Sequence, residues 1–374
     1  MASGKKLIAI AAVAILIVAG AAYVLLGMNN DSKPVDTDGD VDFAGYAVDP
    51  VENLDGGIVC LGQDTFRWVT YFGLADKCVM VDLNDGSNYL GKTFMYVGKT
   101  AALNNSVNGE LKIGSENCSI TAKDVETVIK LSPSVVVVPA DFEKEHINEM
   151  NALRAAGLNI VHIGYIYTFL EAGTFEMSAD MDKQIDVMAK VFNLQDRGNE
   201  LKDLINSTVK DIRSIASGVK EKKTAYVGAI AYNGAHGIES SLPYYMPMAL
   251  ANIDNIMSYD TMSGTGSDVR TYSADAISAH MKSDTVLLLD ATGIYQCTDA
   301  TSLGLLQLFA GHESYIACPY IWTGIGYINV LISAYQLLMD VYGLLTEDQF
   351  STKVDALVAG FLGNADSTRS QVDK

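Results

Sequence analysis

From Gly57 onward the chain alternates short unbroken apolar runs with longer amphipathic stretches. GIVCLG, CVMVD and SVVVVP show no polar alternation, which predicts strands covered on both faces, hence a parallel sheet. Between them, DTFRWVTYFGLAD, KDVETVIKLSP and EKEHINEMNALRAAG carry helical spacing, with Asp64 as an N-cap and Gly157 as a stop. The texture changes at Ser178. MDKQIDVMAKVFNLQDRGNELKDLINSTVKDIRSIASGV offers about forty residues of helical period and no strand candidate. Ile185, Met188, Val191 and Phe192, then Leu201, Leu204, Ile205, Val209 and Ile212, fall on one face. Strand and helix alternate again from TAYVGAIAY through TVLLLD and ESYIACP. The long apolar GYINVLISAYQLLMDVYG and the amphipathic EDQFSTKVDALVAGFLG close the pattern. The prediction is an α/β protein: two Rossmann-like lobes with parallel sheets, residues 56–177 and 221–363, joined by a helical connector over 178–220, with a tail at 364–374.

The N-terminus adds a different element. Lys5 and Lys6 precede an uncharged apolar run from Leu7 to Met28, long enough to span a bilayer as a helix. Residues 1–28 therefore read as a transmembrane anchor with the lysines inside and the main domain outside. A cleavable signal is the competing reading, because Ala19–Ala22 supplies small residues; the apolar run outlasts a typical signal core. Residues 29–55 carry eight acids and one lysine, and read as a solvated acidic linker. Asp36, Asp38, Asp40 and Asp42 alternate like a calcium loop, but Val41 and Ala47 stand where that loop needs glycine and glutamate. A net charge of −19 and no basic stripe argue against nucleic acid. Cys60, Cys78, Cys118, Cys297 and Cys318 contain no CxxC; Cys60 reads as core packing, and a Cys297–Cys318 bridge is open outside the cell.

Candidate chemistry gathers at predicted strand ends. YNGAHGIESSLPYYMP, Tyr232–Pro247, follows an apolar strand. Its Tyr232, Tyr244 and Tyr245 offer flat faces with polar tips, and His236 and Glu239 suit a metal centre or a chelator. The plainer alternative is tyrosines packing on their own lobe. In LGQDTFRWV, Gln63, Arg67 and Trp68 lie at a helix start, a ready place for a carboxylate or phosphate; alternatively Arg67 is exposed and Trp68 packs beneath it. Tyr165, Tyr167, Lys99, Arg270, Tyr320 and Trp322 complete the candidate ligand-binding set, and the metal role falls to His236 alone. The chain has no GxSxG elbow. His146, His162, His280 and His312 sit in separate units, which disfavours a dedicated zinc site.

The order of these pieces from about Gly57 to Gly363 resembles the substrate-binding proteins of ABC importers for iron chelates and cobalamin. The carriers are GIVCLGQDTFRWVTYFGLADKCVMVD, DVETVIKLSPSVVVVP with Ser134 where aspartate is usual, YSADAISAHMKSDTVLLLD, GAHGIES and PYIWTGIGYINVLISAYQLL. The resemblance implies an extracytoplasmic, membrane-tethered receptor that takes a small-molecule metal chelate to a permease and ATPase. It implies no resident cofactor, since iron or cobalt belongs to the ligand, and it implies a monomer. It also implies that Glu126 and Asp275 meet permease arginines; the alternative is two solvated acids near helix starts. Two other readings stay open: an anchored enzyme on a chelatase-like two-lobe scaffold, and a corrinoid or oxyanion receptor. An adhesion protein would lack a polar cleft.

Overall fold

Val135–Pro139 shows why the apolar runs become strands: all five residues are buried, and β-branched side chains suit a pleated sheet packed on both faces. The computed structural model describes residues 40–86, 111–231, 236–260, 269–291, 293, 300–320 and 326–363. Its first sheet contains β1 (Ile58–Cys60), β2 (Cys78–Val81), β3 (Lys112–Ile113), β4 (Val135–Pro139) and β5 (Ile160–Ile163). The strands are all parallel, in the order β3-β2-β1-β4-β5. The order reverses direction at β1, so a crevice opens at the carboxyl ends of β1 and β4.

Alternate residues of these strands face opposite layers. Val59, Leu61, Val136 and Val138 pack with Val125 and Val128 of α3 (Ala122–Leu131) and with Met150 and Leu153 of α5 (Ile147–Ala155). Ile58, Cys60, Val135 and Val137 face the other layer, which contains Phe66, Trp68 and Val69 of α1 (Thr65–Tyr71). Short α2 (Leu83–Gly86) and α4 (Phe142–Glu145) follow β2 and β4. Cys60 is buried, as its setting predicts, with its Sγ 3.7 Å from that of Cys78.

The stretch expected to connect the lobes forms two helices, α6 (Ala179–Val191) and α7 (Gln195–Ala216), broken at Asn193, whose φ is 53°. The second sheet contains β6 (Thr224–Gly228), β8 (Asp254–Asn255), β10 (Val286–Asp290) and β11 (Ser314–Ala317), in the parallel order β11-β10-β6-β8. An antiparallel ribbon of β7 (Ser240–Ser241) and β9 (Arg270–Thr271) stands apart. Helices α8 (Met246–Leu250), α9 (Ala274–Ser278), α10 (Ala300–Leu308), α11 (Tyr327–Asp340) and α12 (Glu347–Leu362) complete the chain. The last of these returns to the first lobe, where Phe361 meets Tyr71 with ring centroids 4.9 Å apart.

The structure departs from the expected linker. From Asp40 on, residues 29–55 are folded against the first lobe rather than solvated: Val41 bridges Ala47, and Asp42 and Val48 are buried. The physical reason lies in Asp42, whose carboxylate accepts the N–H groups of Ala44 and Tyr46, each at 3.0 Å, so this acid organises a turn. No helix among the described residues is long and apolar enough to cross a membrane. The proposed span at 1–28 and the tail at 364–374 lie outside the described residues.

Candidate functional site

The carboxyl end of β1 turns sharply. Gly62 has φ +84°, and a Cβ there would stand 2.6 Å from Pro139 Cδ, so the turn needs glycine twice over. Gln63 follows, half-buried, and then Asp64 at φ 67°. Asp64 occupies the N-cap position of α1 but makes no side-chain cap. Its carboxylate lies 3.0 Å from Arg67, and both side chains are sealed from solvent. The Arg67 guanidinium also sits 5.0 Å from the centre of the Tyr327 ring. Arg67 is therefore neither the surface residue nor the open anion hook considered from sequence, because its charge is met inside the protein. Burial pushes the Asp64 carboxyl up to about 6, against the opposing pull of Arg67. Trp68 is core, lying 5.8 Å from Tyr71 and 6.0 Å from Tyr327.

At the ends of β4 and β5 stand Asp141 and Tyr165. The Asp141 charge lies near the Tyr165 phenol, whose ring tilts against Tyr167 at 6.3 Å. Burial, then the Asp141 charge, raise this phenol well above its ordinary range, so it stays protonated and able to donate.

In the second lobe, the chain after β6 folds back on its own sheet. Ile230 N–H donates to Ser240 O (3.1 Å), Ser240 Oγ to Ile230 O (2.7 Å), and Tyr226 Oη to Ile238 O (2.7 Å). These bonds pin Ile238 and Ser240 in the interior, leaving His236 exposed and Glu239 half-buried. The Glu239 carboxylate lies against Gly237, where a Cβ would collide with it and with Ser302 Oγ of α10. Tyr232, Lys99 and Trp322 lie outside the described residues, as does Cys297. Tyr245 and Tyr320 are buried and face each other at 4.8 Å, and the Tyr320 N–H donates to Asp290 at 2.8 Å; their rings line the lobe core rather than an open wall. Tyr244 is half-buried, and burial pushes its phenol up to about 12. Arg270 pairs with Asp260, which also accepts from Tyr272 Oη at 2.9 Å.

The fold thus gathers Gln63, Asp141 and Tyr165 at strand ends of the first lobe, and His236 and Glu239 in one loop of the second. It diverts Trp68, Tyr245 and Tyr320 into cores. Sequence reasoning overlooked Asp141 and Tyr327. Asp141 follows Pro139 at a strand end, which is a usable signal. Tyr327 opens an apolar helix and has none, yet its hydroxyl donates to Ile166 O at 3.2 Å across the lobe boundary. Among the described residues no group of three or more His, Cys, Asp or Glu is arranged to hold a metal ion. A shallow depression lined by Glu200, Asp203, Leu204 and Lys210 has walls from α7 alone and lies apart from the strand ends. The donors present suit hydrogen bonding and ring contact with a ligand.

Comparison with curated proteins gives no match. Among solved structures, the TroA-like periplasmic binding protein FepB from Veillonella parvula is 15% identical, with 86% of this chain and 95% of that one covered and a TM-score of 0.57. The molybdate periplasmic binding protein MolA of Haemophilus influenzae, solved with molybdate, is 15% identical over 87% of this chain and 97% of its own, at TM-score 0.58. An ABC transporter solute binding protein from Sulfurospirillum deleyianum is 10% identical over 89% and 98%, at 0.54. At such identities the likeness is one of fold. The sequence itself goes further: a family model described as periplasmic binding protein matches residues 58–293, from β1 of the first lobe to the end of β10 in the second, and the chain belongs to that family.

Proposed function

We propose that this protein captures an iron chelate, or a related metal complex, outside the cell and delivers it to an ABC permease. Family membership makes the chain a solute-binding component of an ABC transporter, with an extracytoplasmic main domain and no catalysis of its own. The chelate is our reading of the site. The observation that carries it is the pairing of donors with aromatics at strand ends of both lobes: Gln63, Asp141 and Tyr165 in one, exposed His236 and half-buried Glu239 in the other. Tyr232, Tyr244 and Trp322 extend the same chemistry. A large planar or multidentate complex suits such mixed contacts, whereas a bare oxyanion is held by free positive charge or by converging backbone N–H groups. The internal pairing of Arg67 with Asp64, and of Arg270 with Asp260, weighs against an oxyanion despite the fold likeness to MolA.

Delivery requires a docking face on each lobe. Glu126 on α3 is solvent-exposed, with a Lys130 partner 3.6 Å away, and exposed Asp275 lies in the first turn of α9. We assign these two acids to the permease, and the apolar run at 1–28 to an uncleaved anchor on a monomeric receptor.

The test is titration of the purified chain with ferric siderophores, haem, cobalamin and molybdate, followed by calorimetry and intrinsic fluorescence. The expected result is one-to-one saturation by a ferric chelate at about micromolar Kd or below, with the ligand recovered unchanged. Binding of every compound no tighter than about 1 mM overturns the chelate reading, as does preference for molybdate. Glu126→Ala with Asp275→Ala keeps the ligand Kd and loses stimulation of the cognate ATPase.

A further inference from the structure

His162 sits at the outer edge of the first sheet, on β5, with only 1% of its surface exposed, and its surroundings are built for charge. Its Nδ1 lies 2.5 Å from Asp42 Oδ2 and its Nε2 lies 2.6 Å from Glu143 Oε1. An ionised carboxylate only accepts, so both ring nitrogens must donate, and that defines the imidazolium. Asp42 belongs to residues 40–48, the strip that covers this sheet edge. The strip's backbone continues the contact: Phe43 N–H donates to His162 O at 3.3 Å, and His162 N–H donates to Asp42 Oδ2 at 3.0 Å. The ring of Tyr46 stacks on His162 at 5.3 Å while its hydroxyl donates to Glu143 at 3.3 Å. Gly164 is fitted to the strip, because a Cβ there would run into the Phe43 ring.

We propose that residues 40–48 form a proton-locked clasp, fastened to the β5 edge by charged His162 between Asp42 and Glu143 and released when His162 loses its proton. The groups facing this lock can be named from each element. The strip supplies Asp42 and Tyr46, α4 supplies Glu143, and α5 supplies Arg154, which pairs with Glu143 and covers the Tyr46 ring at 4.6 Å. From α6, Lys183 donates to Asp42 O at 3.2 Å and Lys190 pairs with Asp40 at 2.7 Å. With His162 charged, two carboxylates face two cations around the ring. With it neutral, one nitrogen becomes an acceptor facing a carboxylate, and the buried Asp42 keeps only N–H partners. Burial alone would depress the imidazole, but the hydrogen bonds and charges of Asp42 and Glu143 raise it. The clasp is therefore closed at and below the ordinary histidine range and opens as pH rises through the elevated value. With the chain anchored through 1–28, as proposed above, opening lengthens the tether by up to about 30 Å, at about 3.3 Å per residue.

Hydrogen exchange on the full chain in detergent, corrected for intrinsic rates, tests this without any ligand. Amides of 42–48 should lose at least about tenfold protection, worth about 1.4 kcal/mol, between mildly acidic and alkaline pH, while β4 stays unchanged. His162→Gln should leave the strip equally unprotected at both pH values. Asp42→Asn, milder for folding, should move the opening to lower pH. Equal protection of the wild-type strip at both pH values overturns the proposal. So does an imidazole NMR titration that places His162 at or below its ordinary value of about 6.5.

Discussion

A fully buried arginine must find its counter-charge inside the protein, and Arg67 does so in Asp64, 3.0 Å away and equally sealed. The residue that a sequence reading offers to a ligand is thereby committed to the lobe boundary, under the Tyr327 ring. Breaking such a pair costs more than the pair contributes, because the survivor is left charged in a low dielectric. Arg67→Ala should lower unfolding stability by about 3–5 kcal/mol, read as a drop in the urea midpoint with little change in slope. Asp64→Asn combined with Arg67→Met removes both charges and should recover most of that loss. A single Arg67→Ala variant as stable as wild type would show that the guanidinium is not locked in place.

Elements were legible where side-chain period and burial agree. The runs VVVVP and VLLLD lie in parallel strands buried on both faces, so apolar continuity alone marked them. Glycine at position 157 takes φ +77° and ends α5 where its sequence says it should. Two-residue elements such as β3, β7, β8 and β9 carry no readable period, and the strip at 40–48 hides behind an acidic composition that usually means solvation. Of the site, the strand-end setting of Tyr165 and the loop bearing His236 and Glu239 were legible. The inward turn of Trp68, Tyr245 and Tyr320 was not, since an aromatic serves a core or a ligand with equal chemistry. Nor does sequence reveal that α7 holds the lobes through an arginine near each end. Arg197 donates to the carbonyls of Tyr71 (2.9 Å) and Gly360 (2.7 Å), near the ends of α1 and α12, and Arg213 donates to Ala249 and Leu250, each at 3.1 Å, at the end of α8. Helix-terminal carbonyls lack intrahelical partners, so each arginine supplies donors that the helices themselves cannot. Arg197→Ala should cost about 1–3 kcal/mol and raise hydrogen exchange in 68–73 and 357–362, with 246–251 unaffected. Equal exchange in all three segments would remove the special role of that end.

At the scale of the whole molecule, these fastenings decide how the two lobes move. A hinge needs a joint that few contacts cross. Here α7 spans the lobes, α12 returns from the second to pack on the first, and Tyr327 of α11 donates to Ile166 while lying against Trp68, Phe169 and Arg67. One continuous apolar cluster includes Ile58 and Val135 of the first sheet together with Val227 and Leu288 of the second, linked through the helices between them. Wide opening would tear this cluster and pull the Tyr327 ring away from Arg67 and Trp68, exposing apolar surface that no surface loop covers. Ligand binding should therefore proceed by small sliding shifts and loop ordering. For a folded chain of this size the radius of gyration is about 20 Å. Small-angle scattering with and without bound chelate should agree to within about 1–2 Å, the scale of packed-helix shifts. Contraction by several ångströms on loading would mean the lobes swing freely, and would show that Tyr327 and the connector arginines release their partners when the protein is empty.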